Sequence, residues 1–83
     1  MPEKIVGYVL IITDVGKEHE VAVAIKKKFS NEVTEAVLTY GIYDIVVRFE
    51  VDSFMKSNEI VSFIREVPGV RKTETLIGFP VES

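Results

Sequence analysis

Residues 4–13, KIVGYVLIIT, leave the chain few ways to fold. The stretch is rich in β-branched and aromatic residues and is too short for a solitary buried helix, which indicates a β-strand. Because side chains alternate across a strand, it has two apolar faces: Ile5, Gly7, Val9 and Ile11 on one, and Val6, Tyr8, Leu10 and Ile12 on the other. Such a strand requires cover on both sides of its sheet.

The rest of the chain alternates between helical and strand periods. Residues 14–29 have helical periodicity, with an apolar stripe formed by Val21, Ala24, Ile25 and Phe29. Asp14 and Gly16 are the two candidates for the N-cap of this helix. Residues 32–40 and 43–51 have strand character, and the second alternates with Ile45, Val47, Phe49 and Val51 on one face. A second helix is predicted from Ser53 or Ser57 to about Val67, before a last strand from Val70 to Phe79.

The order of elements, βαββαβ, predicts an α+β fold of the ferredoxin-like kind. In this sandwich two helices pack on one face of a four-stranded antiparallel sheet and leave the other face bare. The bare face is nevertheless apolar on the first strand, and a large exposed apolar face usually marks an interface. We therefore expect a two-fold dimer that buries Val6, Tyr8, Leu10 and Ile12 against a second copy.

Composition excludes several classes of function. The chain has 83 residues, predicted to form one domain over 1–83, and 47% of them are hydrophobic, which excludes a disordered tail. A net charge of -3 gives phosphate backbones little attraction, so no direct nucleic-acid binding is expected. The apolar stretch Val6 to Ile12 is too short for a membrane span, and the absence of cysteine fits a cytoplasmic protein.

No chemistry-bearing constellation emerges from the polar residues. His19, the only histidine, falls on the predicted polar face of the first helix, with no second ligand spaced for a metal. No carboxylate pair suggests acid and base roles, and no glycine-rich phosphate loop is present. We therefore expect no catalytic residues, no metal and no cofactor, although a small ferredoxin-like catalyst is a third possibility beside the two classes weighed below.

The junction between the second and third strands, Gly41-Ile42-Tyr43-Asp44, has two interpretations. It is either a hairpin turn, in which glycine supplies an unusual dihedral angle and Asp44 bonds nearby amides, or a loop that contacts a ligand. In the second interpretation the Asp44 carboxylate attracts an ammonium group. Thr73 and Thr75, on one face of the last strand, offer two hydroxyls suited to a small carboxylate or amide.

Together these segments resemble the effector domain of Lrp/AsnC feast/famine transcriptional regulators, the RAM domain (regulation of amino acid metabolism). The matching motifs are V-x-E-A at Val33–Ala36, Y-G-I-Y-D at Tyr40–Asp44, V-P-G-V at Val67–Val70 and T-E-T-L-I at Thr73–Ile77. The resemblance implies dimers that assemble into octamers or related discs and bind amino-acid effectors between dimers. It assigns the effector contacts to Gly41, Ile42, Tyr43, Asp44, Thr73 and Thr75.

Full-length members of that family carry an N-terminal helix-turn-helix domain, whereas this sequence begins almost directly with the first strand. The expected function is that of a stand-alone module that senses an amino acid and co-assembles with full-length Lrp/AsnC regulators. The alternative is an ACT-like small-molecule-binding domain associated with a metabolic enzyme. Neither alternative predicts catalysis.

Overall fold

The computed structural model describes residues 4–81 and has the predicted order of elements. These are β1 (Ile5–Thr13), α1 (Glu18–Lys28), β2 (Val33–Leu38), β3 (Ile45–Val51), α2 (Phe54–Glu66) and β4 (Val70–Gly78). The strands form one four-stranded sheet in the order β2-β3-β1-β4, and every neighbouring pair is antiparallel. The ferredoxin-like fold expected from the sequence is thereby confirmed.

The core lies between the two helices and one face of the sheet. β1 and β3 occupy the centre, and the alternating residues predicted for this face are buried: Ile5, Val9, Ile11, Ile45, Val47, Phe49 and Val51. The helices cover them with Val21, Ile25, Ile60 and Ile64, and Phe29 and Phe63 meet edge to face at 5.4 Å between ring centroids. The period-two pattern of the central strands therefore located the core.

Gly7 makes room for the largest fully buried side chain. It lies opposite Phe49 in the β1–β3 register, on the face covered by the helices. A Cβ atom at this position would overlap the Phe49 ring. The glycine in the middle of a central strand is thus explained by packing, despite its low strand propensity.

The helix starts differ in part from the prediction. Ser53 caps α2, since its Oγ accepts the Lys56 N–H at 3.2 Å. At α1 the predicted caps are wrong, because Lys17 is the N-cap residue and no side chain caps the helix. The Asp14 backbone instead closes a turn by accepting the Lys17 N–H at 3.1 Å, and Gly16 supplies a φ of 83° within that turn.

The α1 stripe is confirmed at Val21, Ile25 and Phe29 and differs from the prediction at one position. Ala22 is buried, whereas Ala24, which the periodicity placed on the stripe, is half-buried beside the core. β2 ends two residues before its predicted end and β3 begins two residues after its predicted start, so the loop between them spans residues 39–44. Neither helix of the described part has the length and apolar character needed to cross a membrane.

The opposite face of the sheet has no helix over it. Tyr8 is 39% exposed and its β4 neighbour Leu76 is 56% exposed, although both are large apolar-bodied side chains. Leu10 and Ile12 are half-buried on the same face, and Val6 is buried. This surface, which we call the open face, carries all four residues predicted to form a dimer interface.

Candidate functional site

The loop 39–44 is closed by its own backbone. The Thr39 N–H donates to the Asp44 carbonyl at 2.9 Å, and the Thr39 hydroxyl donates to the Tyr43 carbonyl at 2.7 Å. Gly41 has a φ of 124°, a conformation that side-chain-bearing residues rarely adopt. The glycine is therefore required by the shape of the loop, as the hairpin interpretation predicted.

Asp44 fixes this loop to the end of the central strand. Its backbone N–H donates to the Ile11 carbonyl at 2.8 Å, and its carboxylate Oδ2 accepts the backbone N–H of Thr13 at 2.8 Å. The Thr13 hydroxyl lies 3.4 Å from the same oxygen. Thr13 is buried, so this carboxylate satisfies a backbone donor that water does not reach. Oδ2 is thus the acceptor in both hydrogen bonds between Thr13 and the Asp44 carboxylate.

The tip of the loop projects outward, with Tyr40 fully exposed and Ile42 79% exposed. Beside it lies a cleft of about 340 Å³, lined by Glu18, Leu38, Thr39, Tyr40 and Asp44. Its two ionisable carboxylates give it an acidic character. We call it the loop cleft.

Thr73 and Thr75 line a different cleft, of about 500 Å³, on the helix side of the sheet. In the register they lie opposite Ile11 and Val9, so they share the face that the helices cover. The same cleft, called the α2–β4 cleft here, is lined by Arg65 from α2 and by Arg71 and Lys72 from β4, with Val61 and Val70.

The six residues assigned to effector binding are thus divided between two places in one chain. Asp44 lines the loop cleft, whereas Thr73 and Thr75 line the α2–β4 cleft. Gly41, Ile42 and Tyr43 shape the loop without lining either cleft. Their joint role in binding stays a prediction.

Sequence reasoning did not single out the basic residues of the α2–β4 cleft. Arg71 and Lys72 immediately precede the Thr-Glu-Thr segment, so the run Arg71–Thr75 carried a signal for an anion-binding strand. No sequence pattern singled out Arg65, because only the packing of α2 on β4 brings it to the α2–β4 cleft.

A polar network crosses the open face near its centre. The Arg48 guanidinium donates to the Glu50 carboxylate at 2.7 Å, to the Thr34 hydroxyl at 2.9 Å and to the Tyr8 hydroxyl at 3.2 Å. The hydrogen bonds to Glu50 and then to Tyr8 raise the pKa of Arg48 above its ordinary value. Arg48 therefore stays charged on a surface that is otherwise largely apolar, a network that the strand pattern alone did not predict.

The acidic side chains and the single histidine form no metal site in the described part of the chain. Within residues 4–81, no three His, Asp or Glu side chains converge closely enough to hold a metal ion. His19 is exposed on α1.

Comparison with known proteins gives a consistent picture. No protein-family profile and no curated protein sequence matches this chain. Among solved structures, FFRP-DM1 is 32% identical with a TM-score of 0.82, and the match covers 90% of this chain and 99% of that one. The hypothetical protein PHS023 from Pyrococcus horikoshii is 31% identical with a TM-score of 0.82, over 93% and 92% of the two chains.

A longer regulator matches over part of its length. The Escherichia coli protein AsnC is 28% identical with a TM-score of 0.69, and the match covers 95% of this chain but 54% of AsnC. This chain therefore corresponds to about half of that protein.

Proposed function

This chain belongs to the Lrp/AsnC family of regulatory proteins, and on that premise we propose that it is an amino-acid-responsive assembly module. Its regulatory role follows from the family, since its similar structures include FFRP-DM1 and AsnC. The proposal adds that regulation works through ligand binding and association with other chains of the same fold, and not through catalysis.

The open face is the observation that carries the proposal. A sheet with helices on one side leaves Tyr8, Leu10 and Leu76 partly exposed to water, and burial of their remaining apolar surface would contribute about 25 cal/mol per Å². A second copy placed face to face would cover these residues through a two-fold interface. The Nε and Nη1 donors of Arg48 already have partners within the network, which lowers the cost of burying them.

A site formed between copies would account for the division of the candidate residues. Asp44 of one copy could approach Thr73 and Thr75 of another, which a single chain does not achieve. The Asp44 Oδ1 atom accepts no hydrogen bond within the described residues, so it can receive an ammonium proton. The threonine hydroxyls can donate to the carboxylate of the same amino acid.

Co-assembly with longer regulators completes the proposal. The chain matches about half of AsnC, and the matched part includes this sheet. A mixed assembly would therefore use the same open face on both partners. Insertion of this chain would change the number or spacing of DNA-reading subunits in the assembly.

The experiment combines sedimentation with calorimetry. We expect at least a dimer at micromolar concentration, and binding of one or a few of the twenty amino acids. Thr75→Val removes one hydroxyl while keeping the shape of the strand, so it should weaken that binding about two- to tenfold. A monomer of 9.3 kDa that binds no amino acid would refute the proposal.

A further inference from the structure

The α2–β4 cleft concentrates positive charge on a chain that is acidic overall. The chain carries a net charge of -3, yet no carboxylate lines this cleft and its lining includes Arg65, Arg71 and Lys72. Lys72 pairs with Ile12 of the open face in the register, so Arg65 and Arg71 supply the cationic side chains on the helix side. A volume of about 500 Å³ is suited to a small molecule. The local charge is therefore opposite to the average of the surface.

Few of these charges are neutralised within the chain. Arg71 approaches Asp14 at 3.7 Å, but both side chains are more than half exposed, so the pair contributes little. Among residues 4–81, Arg65 has no carboxylate within the 4.0 Å that defines an ion pair. The guanidinium groups of Arg65 and Arg71 thus remain available to an anionic ligand.

The threonines of the cleft supply donors beside these charges. Thr73 and Thr75 are half-buried, and neither hydroxyl makes a hydrogen bond to another described residue. Val61 and Val70 contribute the apolar part of the lining. This combination of guanidinium and hydroxyl donors is suited to binding carboxylate groups.

We propose that the α2–β4 cleft selects ligands with two carboxylates, so that the effector of this chain is an acidic amino acid. The inference rests on the proposed amino-acid-sensing function, which it deepens. The α-carboxylate of any amino acid would need one cation, so the second of the two guanidinium groups suits a second carboxylate on the ligand side chain. A ligand with a neutral side chain would leave the second guanidinium without an anionic partner and would forgo that charge-assisted hydrogen bond.

The test compares acids with their amides by calorimetry on the intact chain. L-glutamate and L-aspartate should bind at least about tenfold more tightly than L-glutamine and L-asparagine, because each added charge-assisted hydrogen bond strengthens binding by this order. The preference should shrink at higher salt, since the cations are exposed. Arg65→Gln should remove most of it, whereas Lys27→Gln, the same charge change on α1, should leave it intact.

Succinate, which has two carboxylates and no ammonium, separates the two proposals. If amides bind as tightly as acids, or if Arg65→Gln keeps the preference, the acidic-ligand inference is wrong and amino-acid sensing stands. If no amino acid binds but succinate binds and is lost in Arg65→Gln, the cleft is anionic-ligand-specific and the sensing function is wrong. If neither class binds to the assembled protein, both are wrong.

Discussion

Two individual residues, Gly7 and Asp44, show how closely the fold and the candidate site are joined. Gly7 is needed because the Phe49 ring occupies the space of its side chain. Asp44 is needed because its carboxylate satisfies the buried Thr13 N–H at 2.8 Å. The first residue serves packing, whereas the second has a structural role and, among residues 4–81, one carboxylate oxygen that accepts no hydrogen bond.

Gly7→Ala should destabilise the fold despite the better strand propensity of alanine. The added methyl group must displace the Phe49 ring, and overpacking of this kind costs about 1–3 kcal/mol. Chemical unfolding measures the loss. Gly78→Ala on β4 is the matched control, because its Cβ meets nothing within 4 Å, and it should change stability by less than about 0.5 kcal/mol. Equal stability of the two variants would contradict the packing argument.

Asp44 requires a pair of variants, because loss of its carboxylate affects both the fold and the proposed site. Asp44→Ala leaves the buried Thr13 N–H unpaired and should cost about 1–3 kcal/mol of unfolding free energy. Asp44→Asn keeps an acceptor oxygen but removes the charge, so most of this stability should remain. Amino-acid affinity should nevertheless fall about tenfold in Asp44→Asn.

Melting curves and calorimetry on both Asp44 variants distinguish the two roles. Succinate is the internal control, because it lacks the ammonium group that Asp44 is proposed to bind. An Asp44→Asn variant that binds its amino acid as tightly as the parent would leave Asp44 with its structural role only.

At the scale of elements, the sequence pattern predicted features set by side-chain periodicity and missed features set by contacts between residues distant in the chain. The alternation of β1 and β3 located the core because side-chain direction is local to a strand. The start of α1 was missed because Asp14 is held elsewhere: its N–H donates to the Gly69 carbonyl at 2.8 Å, and its carboxylate faces Arg71. Helix periodicity contains no information about either contact.

The candidate site was likewise predictable in its local residues and not in its tertiary contacts. The glycine and carboxylate of the loop 39–44 were visible in the sequence, because turn chemistry is local. The Asp44 partner, Thr13, lies 31 positions away along the chain. Arg65 likewise meets Arg71 only when α2 packs on β4. The contribution of Arg65 to the α2–β4 cleft could therefore not be predicted before the tertiary structure was known.

The open face makes an element-scale prediction about assembly. Leu76→Glu places a charge on the exposed part of β4, where the isolated chain should tolerate it, since Leu76 is 56% exposed. In a face-to-face dimer the same carboxylate would be buried, so sedimentation should show a shift toward monomer. Val15→Glu, in the fully exposed turn before α1, should leave the assembly unchanged. Equal assembly of both variants would place the interface elsewhere.

At the scale of the whole molecule, the architecture favours association with other protein chains and disfavours binding of nucleic acid. One helical layer covers one face of a small sheet, and a domain of about this size buries only ~60% of its unfolded surface. Partners that cover the other face would therefore add appreciable stability by mass action. The charge distribution does not favour DNA binding. The net charge is -3, and the cations of the α2–β4 cleft line a concave site of small-molecule size.

We therefore expect that this chain alone does not bind duplex DNA at physiological salt. The exposed lysines 26–28 at the end of α1 form its densest basic run in sequence, but three charges on an acidic domain neutralise too few phosphates for appreciable affinity. Fluorescence anisotropy on a random duplex, repeated at two salt concentrations, measures this. Salt-sensitive binding tighter than about 1 μM would contradict the expectation, because nonspecific binding at physiological salt is ordinarily weaker than this. Loss of such binding in a variant with all three lysines changed to glutamine would then assign DNA contact to α1.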